Sequence, residues 1–248
     1  MTPEDLFKNY VKKYYQYGEA IKRKEEHSFR VQELSKVIAT SLNLNKKDIE
    51  VASLCGLLHD IGRFEQWKNY QSFSDLKTID HGSLGEKILK DNNFINDFTK
   101  TNHNIILKSV KYHNKYKVPN NLSDRNKLFI NITRDADKID ILNIFASKIL
   151  EINYDNNIEI NKKVYNLLLN KKQIDRHYLK SKTDNIGEII GMVFDLKYKK
   201  SYQLLKDNNY INIIIDDLLK DLTNNKLINQ LKEIKVLVND YIEEMITC

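Results

Sequence analysis

The sequence predicts an all-α fold, and three observations carry that expectation. Only 7 Gly and 2 Pro occur in 248 residues, so the strongest breakers of regular structure are scarce. Lys, Glu, Leu and Ile, which are good to fair helix formers, are plentiful beside many Asn. Apolar residues recur at spacings of three and four, the period of a helix with one buried face. The length suffices for a sizeable core, and no clean linker or internal repeat interrupts it. A single domain over 1–248 is therefore expected, with its motif-bearing core at about 20–145 and a helical extension at about 150–248.

Taken in order, Thr2 is a cap, Pro3 suits the first helical position, and Glu4 and Asp5 favour the first turn. That helix is expected to end near Tyr17-Gly18. A second, from about Lys22 to Ser41, buries Val31, Leu34, Ile38 and Leu42, and His27 falls on the same face. Asn45 and Asp48 start a third, whose apolar run (Val51, Ala52, Leu54, Cys55, Leu57, Leu58) leads into His59-Asp60-Ile61-Gly62-Arg63. From Arg63 to Ile79 the periodicity fades, and a long connection with one helical turn is expected. His81 opens a short helix, and Asn102 caps another that carries Ile105, Ile106, Val110 and His113. After the turn at Pro119-Asn120-Asn121, Ser123-Asp124 begins a long helix containing Asp135, Ala136-Asp137 and Asp140. Amphipathic pieces follow at Val164–Leu169, Ile186–Leu196, Tyr202–Leu205, Ile211–Leu219 and Leu227–Tyr241.

Composition narrows the classes of function. The net charge of +6 is mild, Lys alternates with acids, and no zinc-finger or RNP-like spacing occurs, so no strong nucleic-acid signal is present. No stretch approaches the ~20 apolar residues of a membrane span. Cys55 and Cys248 lie far from a disulfide framework and suit a reducing compartment. The acidic N-terminus does not resemble a signal peptide. The expectation is a soluble cytoplasmic protein.

The chemistry lies in the histidines. Six occur, and His27, His59, His81 and His113 each sit on or at the end of a helix with an apolar face. His103 points about 80° away from His113 on their common helix and is expected to be exposed, as is His177. A lone buried His or Asp is costly unless it is bonded, paired or coordinated. Helical periodicity leaves Asp135 and Asp137 both open as inward-facing acids: Asp135 shares a face with Leu128, Ile132 and Leu142, and Asp137 with Ile130, Ile141 and Ile144.

The ordered set of His27 with Arg30-Val31, His59-Asp60, Asp80-His81-Gly82-Ser83-Leu84-Gly85, Tyr112-His113 and Ala136-Asp137 resembles the HD-domain metal-dependent phosphohydrolase superfamily. That resemblance implies an HD-type helical bundle with additional C-terminal helices. It implies that Asp60 bridges two metals, that His27, His59 and the last aspartate hold one, and that His81 and His113 hold the other. The family pattern favours Asp137 as the last ligand, which leaves Asp135 and Asp140 behind the ligands or on the helix surface. Two divalent ions can clamp an in-line displacement at phosphorus and supply a metal-bound hydroxide, which Asp60 would orient. Arg63 falls where relatives place a Lys, and a cation there would contact phosphate. Arg30 is expected to pair with a carboxylate. Asn114 stands where cyclic-dinucleotide hydrolases have a further His, and Lys117-Val118-Pro119 replaces their Gly-Tyr-Pro element, which argues against that substrate.

The expected function is thus hydrolysis of a phosphoester or phosphoanhydride in a nucleotide-like or other small phosphorylated substrate. One or two divalent transition-metal ions are expected, and His and carboxylate donors suit Fe, Mn, Co, Ni and Zn alike. The alternatives are an HD-type di-iron oxygenase and a metal-bound ligand-sensing module without turnover.

Overall fold

Thr2 and Asp5 each accept a hydrogen bond from the other's amide, and this reciprocal cap starts helix α1 (Pro3–Lys12). The computed structural model describes residues 2–92, 94–95 and 100–247. No strand occurs among the described residues, so the expected all-α class holds. The helix α1 stops earlier than the sequence suggests, and Tyr15–Tyr17 form a separate 3-10 turn. There the Tyr14 hydroxyl donates to Glu65 and lies 2.9 Å from the Tyr10 hydroxyl.

Helix α2 (Glu19–Ser41) buries His27, Val31 and Ile38, and α3 (Lys46–Leu58) lies along it, capped by Asn45 accepting from the Asp48 amide at 3.1 Å. Their approach depends on Gly56. A Cβ there would stand 2.6 Å from the Val31 carbonyl and 2.5 Å from Ser35 Oγ, so no larger residue fits without parting the helices. Arg30 reaches Glu26 at 4.0 Å, a weak surface pair.

The stretch after Asp60 departs from expectation. Helix α4 (Ile61–Tyr70) takes nearly three turns of what reads as a loop, and only residues 71–80 connect it onward. Its buried face is short, Ile61, Phe64 and the polar Gln66, so apolar periodicity does not reveal it. Gln66 donates to Asp75, Thr78 Oγ1 and the Ile79 carbonyl, which fastens the following segment to the helix. Helix α5 (His81–Asp91), capped by Asp80, packs on α4 and on α6 (Lys100–Tyr112). Gly62 permits the first of these contacts, since a Cβ would collide with the His81 carbonyl. Because α6 already begins at Lys100, Asn102 sits inside it and does not cap it. His103 is half-buried there, not exposed, and its Nε2 has no hydrogen-bond partner.

Helix α7 (Asp124–Ala146) follows, and the chain divides within it into two compact units, 1–137 and 138–248. The second unit contains the end of α7, then α8 (Lys162–Leu169), α9 (Asp184–Gly191), α10 (Lys199–Asp207), α11 (Tyr210–Asp221) and α12 (Asn225–Thr247). Helix α12 packs against α8, α10 and α11 through Leu227, Leu231, Ile234, Val238 and Ile242. Its buried charges answer one another: Lys138 pairs with Asp195 at 2.9 Å. Asp184 accepts from the amides of Asn161, Lys180 and Ser181. No helix among the described residues is long and apolar enough to cross a membrane.

Candidate metal centre

Residues on or beside six helices, α2 to α7, each deliver part of one buried cluster. His27 comes from the inner face of α2, and His59 follows the last turn of α3. Asp60 stands at the N-cap of α4 but makes no capping bond, so its carboxylate is free to turn inward. His81 is the first residue of α5, and His113 comes directly after α6. Asp137 lies on α7. All four imidazoles and Asp60 are at most 3 % exposed.

The Nε2 atoms point to the same place because the Nδ1 atoms are engaged elsewhere. His59 Nδ1 is 2.7 Å from the Gly56 carbonyl, and His113 Nδ1 is 2.8 Å from that of Val110. His81 Nδ1 lies 2.6 Å from the Asp75 carboxylate. Each acceptor favours the Nδ1–H form and leaves a lone pair on Nε2.

Two triangles of donor atoms result. In the first, His27 Nε2 is 3.2 Å from both His59 Nε2 and Asp137 Oδ1, and His59 Nε2 is 3.6 Å from the same oxygen. In the second, His81 Nε2 is 3.0 Å from His113 Nε2 and 3.1 Å from Asp60 Oδ1, which lies 3.6 Å from His113 Nε2. Asp60 joins them, because its other oxygen, Oδ2, is 3.6 Å from His27 Nε2 and 3.5 Å from His59 Nε2. His59 also groups with Asp60 and His113, so it borders both triangles.

These separations fit divalent ions. Donors about 2.0–2.2 Å from a common ion lie roughly 3.0–3.6 Å apart in tetrahedral or octahedral sites. The chemistry of the donors agrees. With both Nδ1 protons directed at acceptors, the 3.0 Å contact of His81 and His113 sets one lone pair against another, and positive charge between them removes the conflict. The residues present therefore fit a metal centre, and one to two ions would find donors here.

Charge around the cluster is dense. Burial alone would raise Asp60, but the Lys24 ammonium, His59, His113 and His81 hold its carboxyl well below the usual range. Burial likewise works against Asp137, and His27 and His59 overcome it. Burial also opposes protonation of His59, yet Asp60 and Asp137 raise it above its ordinary value. Burial draws His113 down to about 4, helped by the neighbouring His81 and His59.

Every histidine expected at the site is present in it. Asp137 joins the first triangle, whereas Asp135, though fully buried, belongs to neither group of candidate ligands among the described residues. Asp140 is also buried, accepting from Asn143, and does not lie on the helix surface. His177 is exposed beside Asp175. Arg63 stands differently from expectation. Its Nη1 lies 2.8 Å from Gln66 Oε1, 2.5 Å from the Phe73 carbonyl and 2.9 Å from Asp75 Oδ1. Its Nε is buried, 3.5 Å from Asp60 Oδ1. This guanidinium is occupied by the protein itself.

Three contributors escape a reading of the sequence. Lys24, one turn before His27, places Nζ 2.6 Å from Asp60 Oδ2. Asp75 binds His81, Arg63, Gln66 and Asn114 at once. Asn114 also donates to Asp80, which pairs with Lys115. The i, i+3 spacing to His27 could have signalled Lys24. Nothing periodic marks Asp75, which lies in a connection.

No curated protein and no solved structure matches the chain. Residues 25–144 match the HD domain, a span that runs from just before His27 to just past Asp137. Within that span lie both groups of side chains that could hold a metal ion, His27 with His59 and Asp137, and His59 with Asp60 and His113. Residues 25–144 are thus similar to the HD domain, whose family members are generally metal-dependent phosphohydrolases, and the His/Asp cluster fits a metal-binding HD site.

Proposed function

We propose that this protein is a metal-dependent phosphohydrolase that cleaves a phosphoester or phosphoanhydride in a small, nucleotide-like substrate. The observation that supports this reading is the pair of donor triangles linked by the Asp60 carboxylate. In the proposal His27, His59 and Asp137 would hold one ion and His81 and His113 the other, with Asp60 available to either as a donor. When bound, such ions supply Lewis acidity toward phosphoryl oxygens and lower the pKa of water.

The chain's own residues do the rest. Asp60 is kept ionised by its surroundings, so it can accept a hydrogen bond from an attacking water and orient it. Asp75 fixes the tautomer and direction of His81 from behind, and Arg63 holds Asp75 in place. Helices on several sides keep the four imidazoles dry, which strengthens every electrostatic contact in the site. Substrate has an approach where Asp137, Asp75 and Lys24 are partly exposed, at 18 %, 22 % and 23 % of their side chains. A cytoplasmic setting accords with the buried free thiol of Cys55; Cys248 lies outside the described residues.

Elemental analysis of the full chain should give one to two equivalents of divalent metal. A phosphate-release screen over nucleotides, dinucleotides and sugar phosphates should then find turnover that chelation abolishes. Dioxygen uptake by the iron-loaded protein without phosphate release would establish the oxygenase alternative instead. Metal without either activity would leave a sensing module.

A further inference from the structure

We infer that Lys24, and not Arg63, is the cation that grips a phosphoryl group of the substrate at this centre. The inference rests on the proposed hydrolase reading and deepens it by naming the residue that selects for a multiply charged oxyanion.

Two cations lie beside Asp60, and their surroundings separate them. Arg63 is 13 % exposed and has an inward role: Nη1 faces Gln66, the Phe73 carbonyl and Asp75, and Nε faces Asp60 Oδ1. Redirecting it toward a ligand would strip Asp75 of the charge that faces it while Asp75 holds His81. Lys24 is nearly twice as exposed, and among the described residues its ammonium has one carboxylate partner, Asp60 Oδ2 at 2.6 Å. Its flexible stem also lets Nζ lie 5.6 Å from the Phe73 ring centroid.

That single partner is the key. Oδ2 is the Asp60 oxygen nearest His27 and His59, so an ion held by the first triangle and the Lys24 ammonium compete for the same lone pairs. The Lys24–Asp60 pair would be weakened, and the ammonium repelled, with positive charge held in the triangle. Lys24 would then be left with three donors at a partly exposed position. A phosphoryl group approaching the ions offers oxygens to those donors. A neutral or singly charged ligand repays the displacement less well, so the arrangement favours phosphate.

The test compares metal-loaded full-length wild type, Lys24→Gln and Lys24→Arg, with inorganic phosphate as the probe in titration calorimetry. Lys24→Gln should keep its metal, or bind it more tightly because a competing cation is gone. Its phosphate affinity should fall by about 10- to 100-fold, the loss of one charged hydrogen bond, and Lys24→Arg should recover part of it. With a turnover substrate in hand, the loss should appear mainly in KM if the contact forms on binding, and in kcat if it strengthens in the transition state. Lys24→Gln with normal metal and phosphate affinity within twofold of wild type overturns the inference alone. Metal loss in both variants overturns it too, since Lys24 would then be supporting the fold of the centre. Wild type that takes up no metal overturns the underlying reading of the site and this inference with it.

Discussion

The two units solve the problem of buried polarity in opposite ways. In the second, charges that leave solvent meet protein partners: Lys138 meets Asp195, and Asp184 meets three backbone amides. In the first, four imidazole lone pairs and the Asp60 and Asp137 carboxylates face one another with Lys24 and Arg63 as the nearby cations. The charges of Lys138, Asp184 and Asp195 in the second interior are met by that unit's own atoms, whereas the first is arranged around positive charge that the chain supplies only in part. A buried polar cluster of that kind is expensive unless something completes it.

The contrast can be broken most directly at Asp60. Asp60→Ala removes the shared carboxylate, so metal content should drop to less than about a tenth of wild type, with loss of any phosphate release. Full metal retention would show that the triangles are not the ligands. A cavity in the second unit should act in the opposite sense. Leu231→Ala, at a fully buried position, should cost about 2–5 kcal/mol by denaturant melts, with metal content of the folded fraction unchanged.

A smaller change sharpens the distinction within the first unit. Asp75→Asn keeps the size of the side chain but loses the charge behind His81. Metal at the second triangle should bind roughly 10- to 100-fold more weakly, while the first retains its ion. Loss of both ions together would mean that Asp75 supports the fold of the whole centre. The smallest effect is a pH dependence in the second unit. Burial would raise Asp184, but the amides of Asn161, Lys180 and Ser181 prevail and lower its carboxyl below 3.8. Its folded pKa being depressed, its stabilisation is present above pH 3.8 and is lost as pH falls below that value. Asp184→Asn should flatten the acid limb of the stability curve, and an unchanged limb would reassign it to other carboxylates.

Much of this was legible in the sequence because the ligands sit on or beside helices with strong periodicity. The faces of α2, α3 and α6 place His27, His59 and His113 inward before any coordinate is known. Helix α4 escaped because its core side includes Gln66, a polar residue satisfied only by partners nine to thirteen positions later. Asp75 escaped for the same reason, since a connection has no period and its four partners are fixed by folding. Choosing Asp137 over Asp135 needed the family pattern, because both are inward-facing by periodicity and Asp135 is in fact fully buried.

The orientation of the imidazoles has a consequence for how this site can change over generations. His59 and His113 are each aimed by a carbonyl three residues earlier, and any amino acid provides a carbonyl. No single substitution at Gly56 or Val110 deletes that acceptor. His81 alone of these three is aimed by a side chain, and one base change at the Asp75 codon can remove it. The second triangle is therefore the half of the centre that point mutation can most easily retune. On the proposed reading, descendants of this chain could shift between one ion and two without touching a candidate ligand.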